Sequence, residues 1–155
     1  MSRLLLALCA GTCVLMMGPT VLTAQERSYE ENALRIDEHG GTIRIVRGAS
    51  ETVVAKIGVF RAVDVAAVVS QSPHAVAEAT VFQRNYRPGT WLASLGIATL
   101  GAAIGASRIN GLNQAIPTGL TIASVSLITV GGLKLETAHR ALSRAIWWYN
   151  RDLRK

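Results

Sequence analysis

The sequence predicts a mainly α-helical membrane protein with a small exported α+β head, and three features of the chain lead to this fold class. Half of the residues are hydrophobic, and they are concentrated in blocks rather than spread at the spacing of a soluble domain. One block lies at the N-terminus, and two long blocks without charged residues cover 88–107 and 109–133. A basic amphipathic segment then ends the chain.

Residues 1–24 have the layout of a secretory signal peptide. A basic residue, Arg3, precedes an apolar run, and small or polar residues lead up to Ala24. The apolar run is shorter than the about 20 residues of a full membrane span, so a cleaved signal is favoured over an uncleaved signal anchor. Cleavage after Ala24 would remove both cysteines, Cys9 and Cys13, and would exclude disulfide and thiolate chemistry in the mature chain.

Residues 25–87 are predicted to form the exported head. The polar stretch 25–40 is expected to be a loose N-terminus with at most a short helical turn. Within 42–60, alternating and Val/Ile-rich runs on either side of a Gly-Ala-Ser turn predict a β-hairpin. Two strands alone are marginally stable in water, so we expect a helix or the membrane surface to cover them.

Helices are predicted directly downstream. Val63, Ala66, Ala67 and Val69 recur at helical spacing. A second helix follows, which Ser72 can cap and in which Pro73 fits the first position. Pro88 and Gly89 are expected to end or bend this helix, because proline removes a backbone donor and clashes with the preceding turn. The head is therefore a small domain whose core needs support from its neighbours.

Residues 88–133 are predicted to form a hydrophobic helical hairpin, with helices at about 90–107 and 116–133. Arg108 is the only charged residue between them, which fits two membrane spans joined by a tight turn. The turn is expected to contain Asn110, Gly111, Asn113 and Gln114. A helical hairpin buried in a soluble protein is the alternative, although the rest of the chain is short for covering both helices.

Small residues in the first span form a predicted helix-packing face. This face consists of Ala98, Gly101, Ala102 and Gly105, which include a G-x-x-x-G pair. Small side chains let two helix backbones approach closely within a membrane. The same face could instead join copies of the chain, so a homo-oligomer is a possible assembly.

Residues 134–155 are predicted to form a basic amphipathic helix. We expect it to lie on the membrane interface and to attract anionic lipid, with Glu136 and Arg140 paired one turn apart. Packing on protein is the alternative. The predicted membrane-interface residues are Arg140, Arg144, Trp147, Trp148, Tyr149 and Arg151. The chain has a formal net charge of +6. We expect this positive charge to attract anionic lipid rather than nucleic acid, which an exported protein rarely meets.

The sequence has no recognisable motif for catalysis, cofactor binding or metal binding. The three histidines, His39, His74 and His139, are scattered without the spacing of metal ligands. The serines lack the context of a catalytic nucleophile. We therefore expect no catalytic, cofactor-binding or metal-binding residues, and no enzymatic activity.

A resemblance covers the chain from Val63 to Lys155. It rests on the segment SPHAVAEATVFQRNYRPGTWLASLG, on two Gly/Ala-rich apolar stretches and on the terminal HRALSRAIWWYNRDL. In these features the chain resembles a group of uncharacterised small exported bacterial envelope proteins. The resemblance implies a bacterial envelope protein with a soluble head and a hairpin tail, and it implies no activity.

The sequence thus predicts a membrane-anchored bacterial envelope protein with a structural or partner-binding role. Its expected partners are the lipid bilayer, especially anionic lipid, and an envelope protein that contacts the head. The alternative function is a small homo-oligomeric pore or transporter accessory subunit. An exported, periplasmic head would place the basic C-terminal segment outside as well, which opposes the positive-inside tendency.

Overall fold

The computed structural model describes residues 26–39, 42–58, 63–109 and 113–155. This part of the chain is mainly helical and has one three-stranded sheet. The predicted signal segment with its two cysteines, and Asn110 and Gly111 of the predicted turn, lie outside the described residues. The elements are α1 (26–32), β1 (Leu34–His39), β2 (Thr42–Arg47), β3 (Thr52–Ile57), α2 (Val65–Val68), α3 (Pro73–Ser107) and α4 (Ala115–Asp152).

The sheet is antiparallel with the order β1-β2-β3. Pairing of β2 with β3 confirms the predicted β-hairpin. Its turn needs a glycine at position 48, where φ is +69° and an added Cβ would lie 2.5 Å from the carbonyl oxygen of Glu31. The expectation of a loose N-terminus was wrong for 34–39, because this segment forms β1 and its first residue, Leu34, is completely buried.

Helix α3 begins as the sequence predicts and then continues further than expected. Ser72 caps it by accepting a hydrogen bond from the backbone N–H of Ala75 (3.3 Å), and Pro73 is its first residue. The helix runs through Pro88 without ending. The proline leaves the carbonyl of Arg84 without its usual helical donor, but the neighbouring helix holds the segment in place because Gly89 is packed against it.

The last helix, α4, is also continuous. The predicted boundaries at 88 and 134 therefore fall inside α3 and α4 respectively. Each long helix belongs partly to the head and partly to the hairpin. The apolar stripe of 134–155 faces the sheet and α3, with Ala138, Leu142 and Tyr149 almost fully buried.

One hydrophobic core joins the sheet, α2, the first half of α3 and the second half of α4. Its large members include Leu34, Ile45, Ile57, Phe82 and Leu142. The described core cluster contains no residue between 87 and 137. The head thus has a core of its own, to which the hairpin does not contribute.

Polar contacts also hold α4 to the rest of the head. The side-chain amide of Asn150 accepts from the backbone N–H of Leu34 and donates to its carbonyl, both at 2.8 Å. Arg144 pairs with Glu78 at 3.1 Å. The hydroxyl of Ser72 donates to Asp152 Oδ2 at 2.6 Å, so one serine links the start of α3 to the end of α4.

Replacing this serine should destabilise the head. Ser72→Ala removes the helix cap, which costs about 1 kcal/mol, and it also removes the hydrogen bond to Asp152. The exposed Ser70 provides the matched control, Ser70→Ala. We expect a clear loss in the free energy of unfolding for the first variant and almost none for the second, measured by circular dichroism of the full chain in detergent.

The difference in the free energy of unfolding between Ser72→Ala and Ser70→Ala should become smaller at acidic pH. A hydrogen bond from Lys155 and then one from Ser72 lower the pKa of the Asp152 carboxyl. Stabilisation of this kind is present above the ordinary pKa of an aspartate and is lost as the pH falls through the lowered value. Equal unfolding free energies for the two variants at neutral pH would contradict the assigned role of Ser72.

Candidate functional site

The part of α3 and α4 beyond the head exposes large apolar side chains. Both helices are long and apolar enough to cross a membrane, and only 17% and 11% of the residues in their apolar 18-residue windows are buried. The core helix of a soluble protein would be mostly buried in such a window. The exposed set includes Trp91, Leu95, Ile97, Ile104, Ile116, Ile122, Val125, Val130 and Leu133.

The length of this hairpin matches the apolar interior of a bilayer. At about 1.5 Å per residue, 88–107 of α3 extend over about 30 Å, and the hydrocarbon core of a typical bilayer is about 30 Å thick. The charged residue Arg108 follows at the tip, and Arg87 precedes at the head end. Length, composition and exposure are together compatible with membrane association.

Glycines bring the two helices of the hairpin into backbone contact. An added Cβ at Gly131 would lie 2.6 Å from the backbone N of Ala93 and 2.9 Å from the carbonyl oxygen of Gly89. At Gly96 it would lie 2.7 Å from Ile128 Cγ1. Only glycine therefore fits at these close approaches.

The predicted packing face of α3 is not the one that contacts α4. Ala98, Gly101, Ala102 and Gly105 are all exposed, and nothing lies within 4 Å of a Cβ added at either glycine. The sequence did hold a signal for the face that is used. Gly89, Ala93 and Gly96 recur at the i, i+4, i+7 spacing of one helix face.

Two glycine-to-alanine substitutions distinguish these faces. Gly131→Ala should lower the free energy of unfolding by about 1 to 3 kcal/mol, the usual cost of overpacking a close contact. Gly101→Ala meets open space and should be neutral or slightly stabilising, because alanine favours a helix. Both are measured by denaturant titration of the full chain in detergent. Equal tolerance of both substitutions would rule out the glycine contact.

A cleft lies at the end of the head that adjoins the hairpin. It has a volume of about 570 Å³ and runs between α3, the start of α2 and the end of β3. Among the side chains that line it are Ile57, Val63, Asp64, Phe82, Arg84 and Arg87. The cleft thus combines apolar walls with two arginines.

The carboxylate of Asp64 is already engaged at this cleft. It caps α2 by accepting from the backbone N–H of Ala67 (3.2 Å), and it accepts from the side-chain amide of Gln83 (2.8 Å). The bond from Gln83 and then that from Ala67 lower the pKa of the carboxyl. No ion pair of Arg84 or Arg87 occurs within the described part of the chain.

The other end of the head carries a group of aromatic and cationic side chains, which we term the aromatic surface: His74, Trp147, Trp148 and Arg151. His74 stacks on Trp148 with ring centroids 4.7 Å apart, and the rings of Trp147 and Trp148 pack edge to face with centroids 4.8 Å apart. The guanidinium of Arg151 lies 4.8 Å from the centroid of Trp148 and 5.4 Å from that of Trp147. Trp147 is 56% exposed.

The position of this surface differs from the membrane-interface expectation. Along the continuous helix α4, Trp147 lies about 21 Å beyond Leu133, whereas each headgroup layer is only about 6 Å deep. A hairpin that crosses a bilayer along its normal would leave the aromatic surface well outside the lipid. Tyr149 also points into the head core and is 3% exposed.

The remaining predicted interface residues on α4, Arg140 and Arg144, form ion pairs. The predicted pairing of Arg140 with Glu136 is confirmed, and both side chains are exposed. Arg144 is held by Glu78 of α3. Arg140 therefore stabilises α4 itself, and Arg144 stabilises the contact between α4 and α3.

In the described ranges, no three His, Cys, Asp or Glu side chains come together in a group that could hold a metal ion. Comparisons with protein-family models, with curated proteins and with solved structures found no match to this chain. The geometry by itself defines a small α+β head on a two-helix apolar hairpin.

Proposed function

We propose that this chain is a non-enzymatic, membrane-anchored protein of the bacterial cell envelope, with the hairpin in the membrane and the head at its surface, where it binds an envelope protein. The observation that carries the proposal is the exposure of the apolar side chains on α3 and α4 beyond the head. The signal layout of 1–24 supports export, and hence a periplasmic head.

The aromatic surface is the part of the head best suited to contact a protein partner. Tryptophan and arginine are enriched among the residues that dominate binding energy at protein interfaces. Trp147 is exposed and already packs against Trp148 and Arg151, and these contacts reduce the side-chain freedom that binding would cost. Its distance from the hairpin leaves it accessible in a head that sits on a membrane.

Removal of the hairpin should release the head from the membrane. Because the backbones of Gly89 and Gly131 are in contact, a short Gly/Ser linker can replace 90–130 without separating the two half-helices of the head. The head core lies outside the replaced segment, so the shortened protein should fold. We expect it in the soluble fraction after carbonate extraction, whereas the full chain stays with the membrane.

The control for this experiment is the mass of the exported chain, which shows whether the signal segment has been removed. A shortened protein that has lost its signal segment and still sediments with membranes would contradict anchoring by the hairpin. A shortened protein that keeps the segment and sediments would instead identify an uncleaved signal anchor. Circular dichroism of the released head checks that it is folded.

A second candidate function is a small homo-oligomeric pore or transporter accessory subunit. The observation that favours it is the exposed face of Ala98, Gly101, Ala102 and Gly105, which α4 leaves uncovered. Faces of this kind allow close packing of helices from different copies in a membrane. The spans carry no charged residue other than Arg108 at the tip, although transport pathways usually contain ionisable groups.

Cross-linking of the full chain in membranes tests this second function. Gly101→Leu should abolish cross-linked oligomers, because leucine would hold two α3 helices apart. Gly119→Leu is the matched control, since Gly119 is an exposed hairpin glycine on α4 with nothing within 4 Å of an added Cβ. Oligomers that survive Gly101→Leu, or that are lost equally in both variants, would remove the support for assembly through α3.

A further inference from the structure

We propose that the cleft at the hairpin end of the head binds the headgroup of an anionic phospholipid, with Arg84 and Arg87 holding its phosphate. This inference rests on the proposed membrane anchoring and adds a lipid class and a site to it. The two arginines are three residues apart on α3, so they are neighbours on one side of the helix. Both line the cleft.

The electrostatics of the cleft favour an anion. Neither arginine has a carboxylate partner within the described residues. Among the described residues that line the cleft the one acid is Asp64, whose carboxylate accepts hydrogen bonds from Gln83 and from the N-terminus of α2. Guanidinium groups bind phosphate through two parallel hydrogen bonds. Together with the Asp64 carboxylate, the two arginines give the described lining of the cleft a net charge of +1, which matches the single negative charge of a phosphodiester.

The position of the cleft favours a lipid as the source of that phosphate. Arg87 immediately precedes the charge-free stretch that begins at Pro88. One turn further along, Trp91 is 61% exposed, as is typical of tryptophans at the boundary between headgroups and acyl chains. In a membrane-spanning hairpin, Arg84 and Arg87 therefore lie at the depth of the lipid phosphates.

The walls of the cleft also fit an amphipathic ligand. Ile57, Val63 and Phe82 provide apolar surface beside the arginines, and a free phosphate ion has no use for such surface. A volume of about 570 Å³ exceeds what a phosphate group needs and leaves room for a glycerol moiety. A zwitterionic headgroup would bring its own cation towards two arginines, so a headgroup without an ammonium is preferred.

Native mass spectrometry of the full chain in neutral detergent micelles tests this site. The protein is titrated separately with phosphatidylglycerol, phosphatidylcholine and glycerol phosphate. The expected result is one retained phosphatidylglycerol under conditions in which neither of the other two is retained. Arg84→Gln/Arg87→Gln should weaken phosphatidylglycerol binding about 25-fold, which is about fivefold for each basic side chain.

Two further variants serve as controls. Arg27→Gln/Arg35→Gln removes the same charge from exposed head residues on α1 and β1, the latter on the sheet edge opposite β3, and should bind phosphatidylglycerol like the parent chain. Arg84→Lys/Arg87→Lys keeps the charge without the bidentate geometry and should give an intermediate loss. It also keeps the test valid if the glutamine variant is poorly folded.

Several outcomes would overturn the site. Equal retention of phosphatidylcholine and phosphatidylglycerol would remove the headgroup preference, and glycerol phosphate bound as tightly as the lipid would make it a site for soluble anions. Equal losses in the Arg27/Arg35 control would show general charge attraction. Carbonate extraction of the same proteins separates the two proposals. A full chain released from membranes refutes the anchoring, whereas a retained chain without lipid preference refutes only the cleft.

Discussion

Backbone contact between Gly89 of α3 and Gly131 of α4 sets the register on which the rest of the molecule depends. Both helices continue without a break from the hairpin into the head. A register fixed in the hairpin therefore also aligns Glu78 with Arg144, and Ser72 with Asp152, further along the same pair of helices. The antiparallel pair is in this sense the frame onto which the sheet and α2 are packed.

Continuity through Pro88 shows how tertiary packing overrides a local signal. The sequence correctly marks a missing backbone donor, and an isolated helix would bend or end there. In the folded chain, Tyr86 and Thr90 are buried on either side of the proline, and the Thr90 hydroxyl donates to the carbonyl of Tyr86 at 2.8 Å. Neighbouring helices and hydroxyl side chains commonly allow proline within long helices of this kind.

Local sequence features predicted the β2–β3 hairpin, the Ser72 cap and the two long apolar helices, because alternation, capping and uncharged runs are properties of adjacent residues. Strand β1 was not predicted because contacts with residues distant in the sequence hold it in place. Its first residue, Leu34, is hydrogen-bonded through its backbone to the side chain of Asn150. The apolar stripe of α4 was recognised, but a stripe does not reveal whether lipid or protein covers it. Likewise, small residues indicate close packing without identifying the partner helix.

The shared core of the head also constrains how the hairpin can enter a membrane. The first half of α3 and the second half of α4 are packed together and joined by Glu78 and Arg144, so both ends of a membrane-inserted hairpin would lie on one side of the bilayer. In that arrangement the folded head would stay on one side, and only the tip of the hairpin would cross the bilayer. The tip carries one charged residue, Arg108, whose burial at the bilayer centre costs about 2.5 to 3.5 kcal/mol on insertion scales. In such an insertion, the basic residues at the head end of the hairpin, Arg87 and Lys134 among them, would stay on the side of the membrane where the head folds. Their charge therefore opposes insertion less than a count of basic residues implies.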